Sequence, residues 1–298
     1  MKVLRSSIVL AVAILAILAA GVLEASAQSF PGFPGNSITL LGTTGACNNG
    51  FPGGPCTETS TLVELDPRTG ALIQMIGPVG FTVNGLAFDH ISGKLYASTA
   101  IGDVAFHGLI TIDPTTGAGT PVDAAVHNFG LGGADSPIHS ITIDNFGQMV
   151  GWYDEGPPPT VPPTGDTFVR IDKKTGIATE FPDTGIDTSA NGLSFGKFNL
   201  LWNIDTARGK PLTQTAYLLD PSNGKPLLSK ALSPPTMAAL GDFNPMNDLY
   251  YGLKFNSFST DPTFIVVVDL DKGKVTTLGQ TVDGLHTLTF VRGNGRLK

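Results

Sequence analysis

The chain has 298 residues and a formal net charge of −7, and charged residues make up 14% of the sequence. The acidic balance argues against nucleic acid as a partner, because a polyanion repels such a chain. The charged fraction lies below the usual value of about 25%, so solubility depends on uncharged polar residues and on glycine.

The first residues follow the pattern of a secretory signal peptide. Lys2 and Arg5 precede a 16-residue apolar run over residues 8–23, and Ala25-Ser26-Ala27 then offers small residues at a cleavage site. This run is shorter than the roughly 20 residues that a transmembrane helix needs. We therefore predict that residues 1–27 are removed and that the mature protein is secreted or periplasmic, without a membrane span.

The two cysteines lie close together in the sequence. Cys47 and Cys56 are separated by an eight-residue stretch rich in Gly, Pro and Asn, which can fold back on itself. In an exported chain this spacing predicts one local disulfide, Cys47–Cys56. A reactive thiol pair or half of a metal site are the alternatives.

One phrase occurs five times along the chain: an apolar segment ends in Asp, and a Gly follows four residues later. The intervals between successive Asp residues are 47, 59, 48 and 49 residues. A strand-rich unit repeated at about this period is typical of the blades of a β-propeller. The five aspartates are Asp66, Asp113, Asp172, Asp220 and Asp269.

Each repeat contains four predicted strands, which we label A to D from the axis outward. In the second repeat they cover residues 84–89, 94–99, 109–113 and 118–122. Apolar residues occur on both faces of most of these strands, as expected for a sheet that packs between two neighbouring sheets.

The two ends of the chain together supply one more blade. The amino-terminal part offers strands B, C and D at residues 37–41, 62–65 and 71–76, and the carboxyl-terminal part offers only an A strand at 285–290. Joining them closes the ring and removes exposed edges. We predict a flexible segment at 28–36, followed by one all-β domain over 37–298.

That domain is predicted to be a five-bladed β-propeller. Six blades are the alternative, if residues 28–60 contain an additional hairpin.

The connections differ in length between the two faces of the ring. The A-to-B and C-to-D turns are short, and we call their side the short-turn face. The opposite side, the long-loop face, carries the D-to-A and B-to-C connections, where binding residues tend to lie above a rigid scaffold. Four of these connections are long, at residues 123–137, 154–166, 205–214 and 254–262.

Candidate site residues emerge when the A strands are aligned on their last apolar residue. The residue four places earlier should lie at the long-loop mouth of the axial channel in every blade. Two imidazoles and two amides then converge, and such groups can bind a divalent cation or orient a small polar ligand. The alternative is that the Asn-Gly pairs only turn the chain into the strand, while the histidines bond to water and backbone. The five aligned residues are Asn84, His139, Asn191, Ala239 and His286.

The stretch Asn84-Gly85-Leu86-Ala87-Phe88-Asp89 resembles the repeat of secreted bacterial propellers of the gluconolactonase and senescence-marker superfamily, and Asn191-Gly192-Leu193-Ser194-Phe195 looks like a second copy. A similar phrase in that family carries a metal-binding Asn. The resemblance implies Asn84 and Asn191 as metal ligands. The alignment of the A strands adds His139 and His286 as further candidates.

A second resemblance is to the five-bladed plant-type glutaminyl cyclases. It covers Gly85-Leu86, the segment 95–99 and Ile112-Asp113. Those enzymes have a catalytic Glu where this chain has Ala97. The resemblance therefore implies the fold and not cyclase activity.

Together these features predict an exported monomeric propeller that binds a small ligand, a metal ion or a protein partner at its long-loop face. The sequence identifies no catalytic residue. A metal-dependent hydrolase or lactonase with an axial metal is the first alternative, and a structural envelope or matrix protein is the second.

Overall fold

The computed structural model describes residues 38–44, 59–99, 106–131, 138–153, 167–186, 191–207, 213–236, 238–254 and 262–292. The predicted signal peptide, the segment 28–36, Cys47 and Cys56 lie outside the described residues. Within the described ranges no helix has the length and apolar character needed to cross a bilayer.

The described residues form five antiparallel sheets of four strands each. From the axis outward, blade 1 contains β20 (Leu285–Arg292), β1 (Ile38–Thr44), β2 (Thr61–Leu65) and β3 (Leu72–Pro78). In the same order, blade 2 contains β4 (Val83–Asp89), β5 (Lys94–Thr99), β6 (Leu109–Ile112) and β7 (Gly119–Pro121), and blade 3 contains β8 (Ile138–Ile143), β9 (Met149–Tyr153), β10 (Thr167–Ile171) and β11 (Ala178–Glu180). Blade 4 contains β12 (Asn191–Phe195), β13 (Leu201–Ala207), β14 (Thr213–Leu219) and β15 (Pro226–Ala231), and blade 5 contains β16 (Ala238–Phe243), β17 (Tyr250–Lys254), β18 (Phe264–Asp269) and β19 (Lys274–Gln280).

Blade 1 closes the ring in the way the sequence predicts. Strand β20 pairs antiparallel with β1, which places Leu40 opposite Phe290 and Ile38 opposite Arg292. Each inner strand contacts the inner strands of the two neighbouring blades, so β4, β8, β12, β16 and β20 surround one axis. The predicted five-bladed β-propeller is confirmed, and the structure does not take the six-bladed alternative.

The core consists of five apolar clusters, one at each junction between neighbouring blades. Strand β4 shows how one strand serves two of them: Leu86 and Phe88 pack toward blade 1, whereas Ala87 packs toward blade 3. Removal of apolar surface from water on both faces of each sheet is the main favourable term in such a core. It also explains why the strands are apolar almost throughout.

The C-to-D turns have the geometry that the repeated Asp-x-x-x-Gly phrase predicts. In blade 1, Asp66 Oδ1 accepts a hydrogen bond from the Arg68 backbone N–H at 2.9 Å, and Gly70 has φ of +78°. Asp caps the turn, and Gly adopts the left-handed conformation without a Cβ clash. Hydrogen bonds from the Arg68 side chain and backbone hold the pKa of Asp66 below its usual value.

The short-turn face also carries bonds between blades. Asn199 Oδ1 accepts from the Asn145 N–H at 2.8 Å, and Asp248 Oδ1 accepts from the Lys197 N–H at 2.7 Å. An ion pair joins Lys173 of blade 3 to the buried Asp89 of blade 2, with 2.5 Å between Nζ and Oδ2. This face is therefore tied together by side chains as well as by apolar packing.

Candidate functional site

The five inner strands place the aligned sequence positions at the long-loop end of the axial channel. Asn84, His139 and His286 are the second residues of β4, β8 and β20, and these strands belong to three consecutive blades. The antiparallel order of each blade sets the long-loop face at the start of its inner strand. The three side chains therefore enter the channel from the same end.

A hydrogen-bonded triad joins these three side chains. The amide of Asn84 lies between the two imidazoles, with its Oδ1 at 2.9 Å from His286 Nε2 and its Nδ2 at 2.9 Å from His139 Nδ1. In this arrangement His286 Nε2–H donates to the amide oxygen, and the amide N–H donates to His139 Nδ1. His139 Nδ1 is then the acceptor, and His286 carries a proton on Nε2.

The environment favours the neutral form of the triad. Asn84 is 7% exposed and His286 is 9% exposed, while His139 is half-buried. Burial, helped by repulsion from His139, lowers the pKa of His286 to about 4. His286 is thus neutral at physiological pH and keeps its proton on Nε2, from which it donates to the amide oxygen.

Glycine beside Asn84 allows the blades to approach closely at this point. A Cβ on Gly85 would lie 2.8 Å from Ser98 Oγ and 3.0 Å from the carbonyl oxygen of His139. Gly192 has the same role in blade 4, where a Cβ would lie 2.1 Å from Tyr250 Oη. The glycine of the Asn-Gly phrase therefore serves close packing between blades, and it does not serve a turn.

The other two aligned positions are placed through their backbone alone. Asn191 begins β12 opposite Asp205, and Ala239 lies in β16 opposite Leu253. Their side chains lie outside the described part of the structure. The structure thus brings together three of the four predicted site residues, Asn84, His139 and His286, and leaves the Asn191 side chain as a prediction.

The triad has hydrogen-bonding groups rather than an evident metal cage. Among the residues that the structure describes, no group of three or more His, Cys, Asp or Glu side chains could hold a metal ion. His139 Nδ1 and His286 Nε2 both face the Asn84 amide, so a cation would have to displace those bonds or use the other ring nitrogens.

The opposite end of the channel opens into a cavity of about 440 Å³ on the short-turn face. Its wall includes Asp242 of β16, which the sequence did not single out. Asp242 Oδ1 accepts from Ser194 Oγ at 2.5 Å and from the Phe243 N–H at 2.8 Å. Its Oδ2 accepts from Thr289 Oγ1 at 3.0 Å and from the Phe290 N–H at 2.9 Å. The carboxylate therefore links blades 4, 5 and 1.

Asp242 belongs to a polar belt formed by the residue just before the last apolar residue of each inner strand. Thr142 Oγ1 accepts from the Phe195 N–H at 3.3 Å, and Ser194 Oγ accepts from the Phe243 N–H at 3.3 Å. Thr142, Ser194 and Asp242 thus each satisfy an inner-edge amide of the next blade. The signal was present in the sequence as a polar residue before the closing apolar one in four of the five blades, Thr142, Ser194, Asp242 and Thr289, whereas blade 2 has Ala87 there.

His90 also lines the cavity, and its ring meets Phe88 edge to face at a centroid distance of 5.0 Å. The His90 side chain is exposed to solvent, and the other residues that line the cavity lie around it. Desolvation by these walls lowers its pKa below the usual value, and Arg292 acts in the same direction. The carboxylates of Asp242 and Asp89 oppose the shift.

Comparison with known proteins supports the fold alone. No family model and no curated protein matches the sequence. A GH43 β-1,3-galactosidase structure is 10% identical, has a TM-score of 0.50, and aligns over 68% of this chain and 46% of its own length. TolB from Acinetobacter baumannii is 15% identical, with a TM-score of 0.47, over 85% of this chain and 56% of its own length.

A gluconolactonase from Xanthomonas campestris is 13% identical, with a TM-score of 0.42, over 90% of this chain and 96% of its own length. The chain spans about half the length of the galactosidase and TolB structures. The five four-stranded sheets around one axis define the class of protein as a five-bladed β-propeller.

Proposed function

We propose that the protein is an exported β-propeller that binds a small polar ligand at the long-loop end of its axial channel. The observation that carries this proposal is the triad of Asn84, His139 and His286, which three blades hold at hydrogen-bond distance. A rigid set of amide and imidazole groups at a channel mouth is a preorganised recognition site. The site is contained in one chain and needs no second copy.

The chemistry of the triad favours recognition over catalysis. A neutral His286 with a pKa of about 4 is poorly matched to proton transfer near pH 7, where a useful general base has a pKa close to the working pH. Amide and imidazole groups instead match the hydroxyl, carbonyl and amide groups of small polar compounds. Sugars and sugar lactones, which carry such groups, are therefore the first compounds to test.

Isothermal titration calorimetry with D-galactose, D-gluconate and D-glucono-lactone tests the proposal. Binding by the natural chain should fall at least about tenfold in Asn84→Ala, because removal of the amide frees both imidazoles to reorient. The matched control is Asn145→Ala, an exposed Asn at the other end of the channel, which should bind as the natural chain does. Equal binding by both variants, or an absence of binding to a broader panel of small polar compounds, would count against the site.

The rival function is a metal-dependent lactonase, in which a cation bound by the same residues would polarise a carbonyl. Its support is the resemblance of the Asn84 and Asn191 phrases to the gluconolactonase repeat. Elemental analysis separates the two: stoichiometric calcium or zinc that is lost in His139→Ala/His286→Ala, together with lactone turnover, favours the enzyme. A structural envelope protein would show neither metal nor ligand binding.

A further inference from the structure

The short-turn face carries an exposed apolar side chain at the same place in all four A-to-B turns that the structure describes. It is the third residue of the turn. The count begins at the last residue of the inner strand in blade 2 and at the residue after the inner strand in blades 3, 4 and 5. In blade 1 the described chain has Arg292 at the end of β20 instead. The four residues are Ile91, Phe146, Phe198 and Met246, which are 46%, 76%, 74% and 70% exposed.

These apolar side chains are not needed to form their turns. In blade 3, Asp144 Oδ1 accepts from the N–H groups of Phe146 and Gln148, and in blade 5 Asn244 Oδ1 accepts from the Met246 N–H. The caps act on the backbone, so any side chain would serve at the third position. Phe198 even has φ of +60°, a conformation that disfavours a bulky residue.

Exposed apolar side chains grouped on one face of a folded protein mark an interaction site, and here four of them occur around one axis. We call residues 91, 146, 198 and 246 the apolar ring. It surrounds the mouth of the 440 Å³ cavity, whose wall includes Phe198 and Met246. The remaining question is which surface covers the ring.

The charges beside the apolar ring alternate by blade. Arg292 of blade 1 and Lys197 of blade 4 are exposed and positive, and Asp144 of blade 3 and Asp248 of blade 5 are negative. In blade 2, Asp89 is already neutralised by its ion pair with Lys173. Lys94 at the start of β5 is also exposed and positive, so the A-to-B turns carry three positive and two negative positions, a mixture that an anionic lipid surface does not select.

A two-fold axis gives these positions a specific pairing. If two copies meet face to face, with the two-fold axis passing through blade 2, then blade 2 meets itself, blade 1 meets blade 3, and blade 4 meets blade 5. This operation sets Arg292 opposite Asp144 and Lys197 opposite Asp248 of the other copy. The charges of blades 1, 3, 4 and 5 then each meet one of opposite sign, and only the exposed Lys94 of blade 2 faces its own copy. Such matched pairs are the self-complementarity that an isologous interface requires.

The same operation also pairs the apolar ring with itself. Ile91 meets Ile91, and Phe198 meets Met246, while Phe146 meets the blade 1 position beside Arg292. We propose that the protein forms a two-fold dimer through its short-turn face, in place of the monomer expected from the sequence. The two cavities then face each other and form one enclosed chamber.

Analytical ultracentrifugation of the purified protein over a wide concentration range tests the dimer. The natural chain should reach the dimer mass, and Phe198→Ser/Met246→Ser should weaken the dimer at least about tenfold, since buried aromatic anchors dominate interface energies. The matched control is Leu227→Ser/Leu228→Ser on the outer strand β15, where both residues are exposed at 65% and 56%; it should dimerise normally.

A second variant tests the charge pairing independently of the apolar ring. Lys197→Gln/Arg292→Gln leaves all four facing pairs, two of each kind, without their positive partners, so its dimer should weaken, and more so at low salt than at high salt. Circular dichroism and melting should match the natural chain, because both side chains lie on the surface.

Three results would overturn the dimer: a monomeric mass at every concentration, a dimer that survives the Phe198→Ser/Met246→Ser change, or cosedimentation of a monomer with phosphatidylcholine and phosphatidylglycerol vesicles through the same residues. The last result would assign the face to a lipid surface. Sugar binding at the Asn84 triad is measured separately, so the dimer and the ligand site can fail independently.

Discussion

The two ends of the axial channel are built from the same five strands but differ in how their polar groups are used. At the long-loop end, the amide of Asn84 links two neutral imidazoles. At the short-turn end, the two oxygens of Asp242 accept hydrogen bonds from three blades, so this carboxylate holds neighbouring blades together. The same inner strands therefore place a carboxylate that holds blades together at one end of the channel and an uncharged amide between two imidazoles at the other.

The largest effect is expected where the fold depends on that carboxylate. Asp242→Ala leaves two backbone amides and two hydroxyls without a charged acceptor, and it should lower the free energy of unfolding by about 4 kcal/mol. Urea denaturation measures the loss. Glu180→Ala, at an exposed position on β11, should change stability by less than about 0.5 kcal/mol. Equal effects of the two changes would contradict the structural role of Asp242.

Acid should act on the long-loop end through His286. Its folded pKa of about 4 lies below the ordinary 6.5, so the unfolded chain binds a proton more readily. This contribution is complete above about pH 6.5 and is lost as the pH falls toward 4, by about 3 kcal/mol in all. Urea unfolding at a series of pH values measures it.

His286→Gln should flatten the slope of stability against pH in this window and leave the acid loss below pH 4 in place. That lower window belongs to the turn and inter-blade aspartates, including Asp89 and Asp66, whose pKa values are lowered in the folded state. An unchanged slope in His286→Gln would rule out His286 as its source.

The ion pair between blades 2 and 3 should contribute less than Asp242. Lys173→Met leaves Asp89 with hydrogen bonds from Ser92 and the Ile91 N–H, so the expected loss is about 2 kcal/mol. Lys174→Met, at the exposed neighbouring residue, is the matched control and should cost little. A thermal melt of both variants would show whether the ion pair or merely a positive charge is needed.

The smallest effect concerns a single turn. Asp113→Ala removes the acceptor for the Thr115 N–H and hydroxyl and should cost about 1 kcal/mol, whereas Asp113→Asn keeps an acceptor and should cost less. Chemical denaturation of the pair measures the difference. If Asn proved as damaging as Ala, the charge of Asp113 and not its cap would matter.

The sequence predicts the fold well because the decisive signals are local. Each Asp-x-x-x-Gly phrase contains its own cap and its own left-handed glycine, so the five C-to-D turns can be recognised without knowledge of the rest of the chain. The convergence of Asn84, His139 and His286 followed from the same periodicity, since equivalent positions of the inner strands must lie at one height along the axis.

The role of Asp242 could not be predicted in the same way. Its partners Ser194 and Thr289 lie 48 and 47 residues away on other blades. A bulge next to Leu240, where φ is +52°, also disturbs the regular pairing of β16. The exposure of the apolar ring could not be predicted for a different reason. Apolar residues are usually buried, and only the structure shows that Phe146 and Phe198 lie on the surface.

Closure of blade 1 by β20 has a consequence for the order of events during translation. Strand β1 emerges from the ribosome early, but the partner that completes its sheet, Leu285–Arg292, emerges after all the other strands of the ring. Until then the growing row of sheets has an unpaired strand edge at each end, and the ring of blades cannot close. A chain whose synthesis stops before Leu285 would therefore lack the strand that closes the ring.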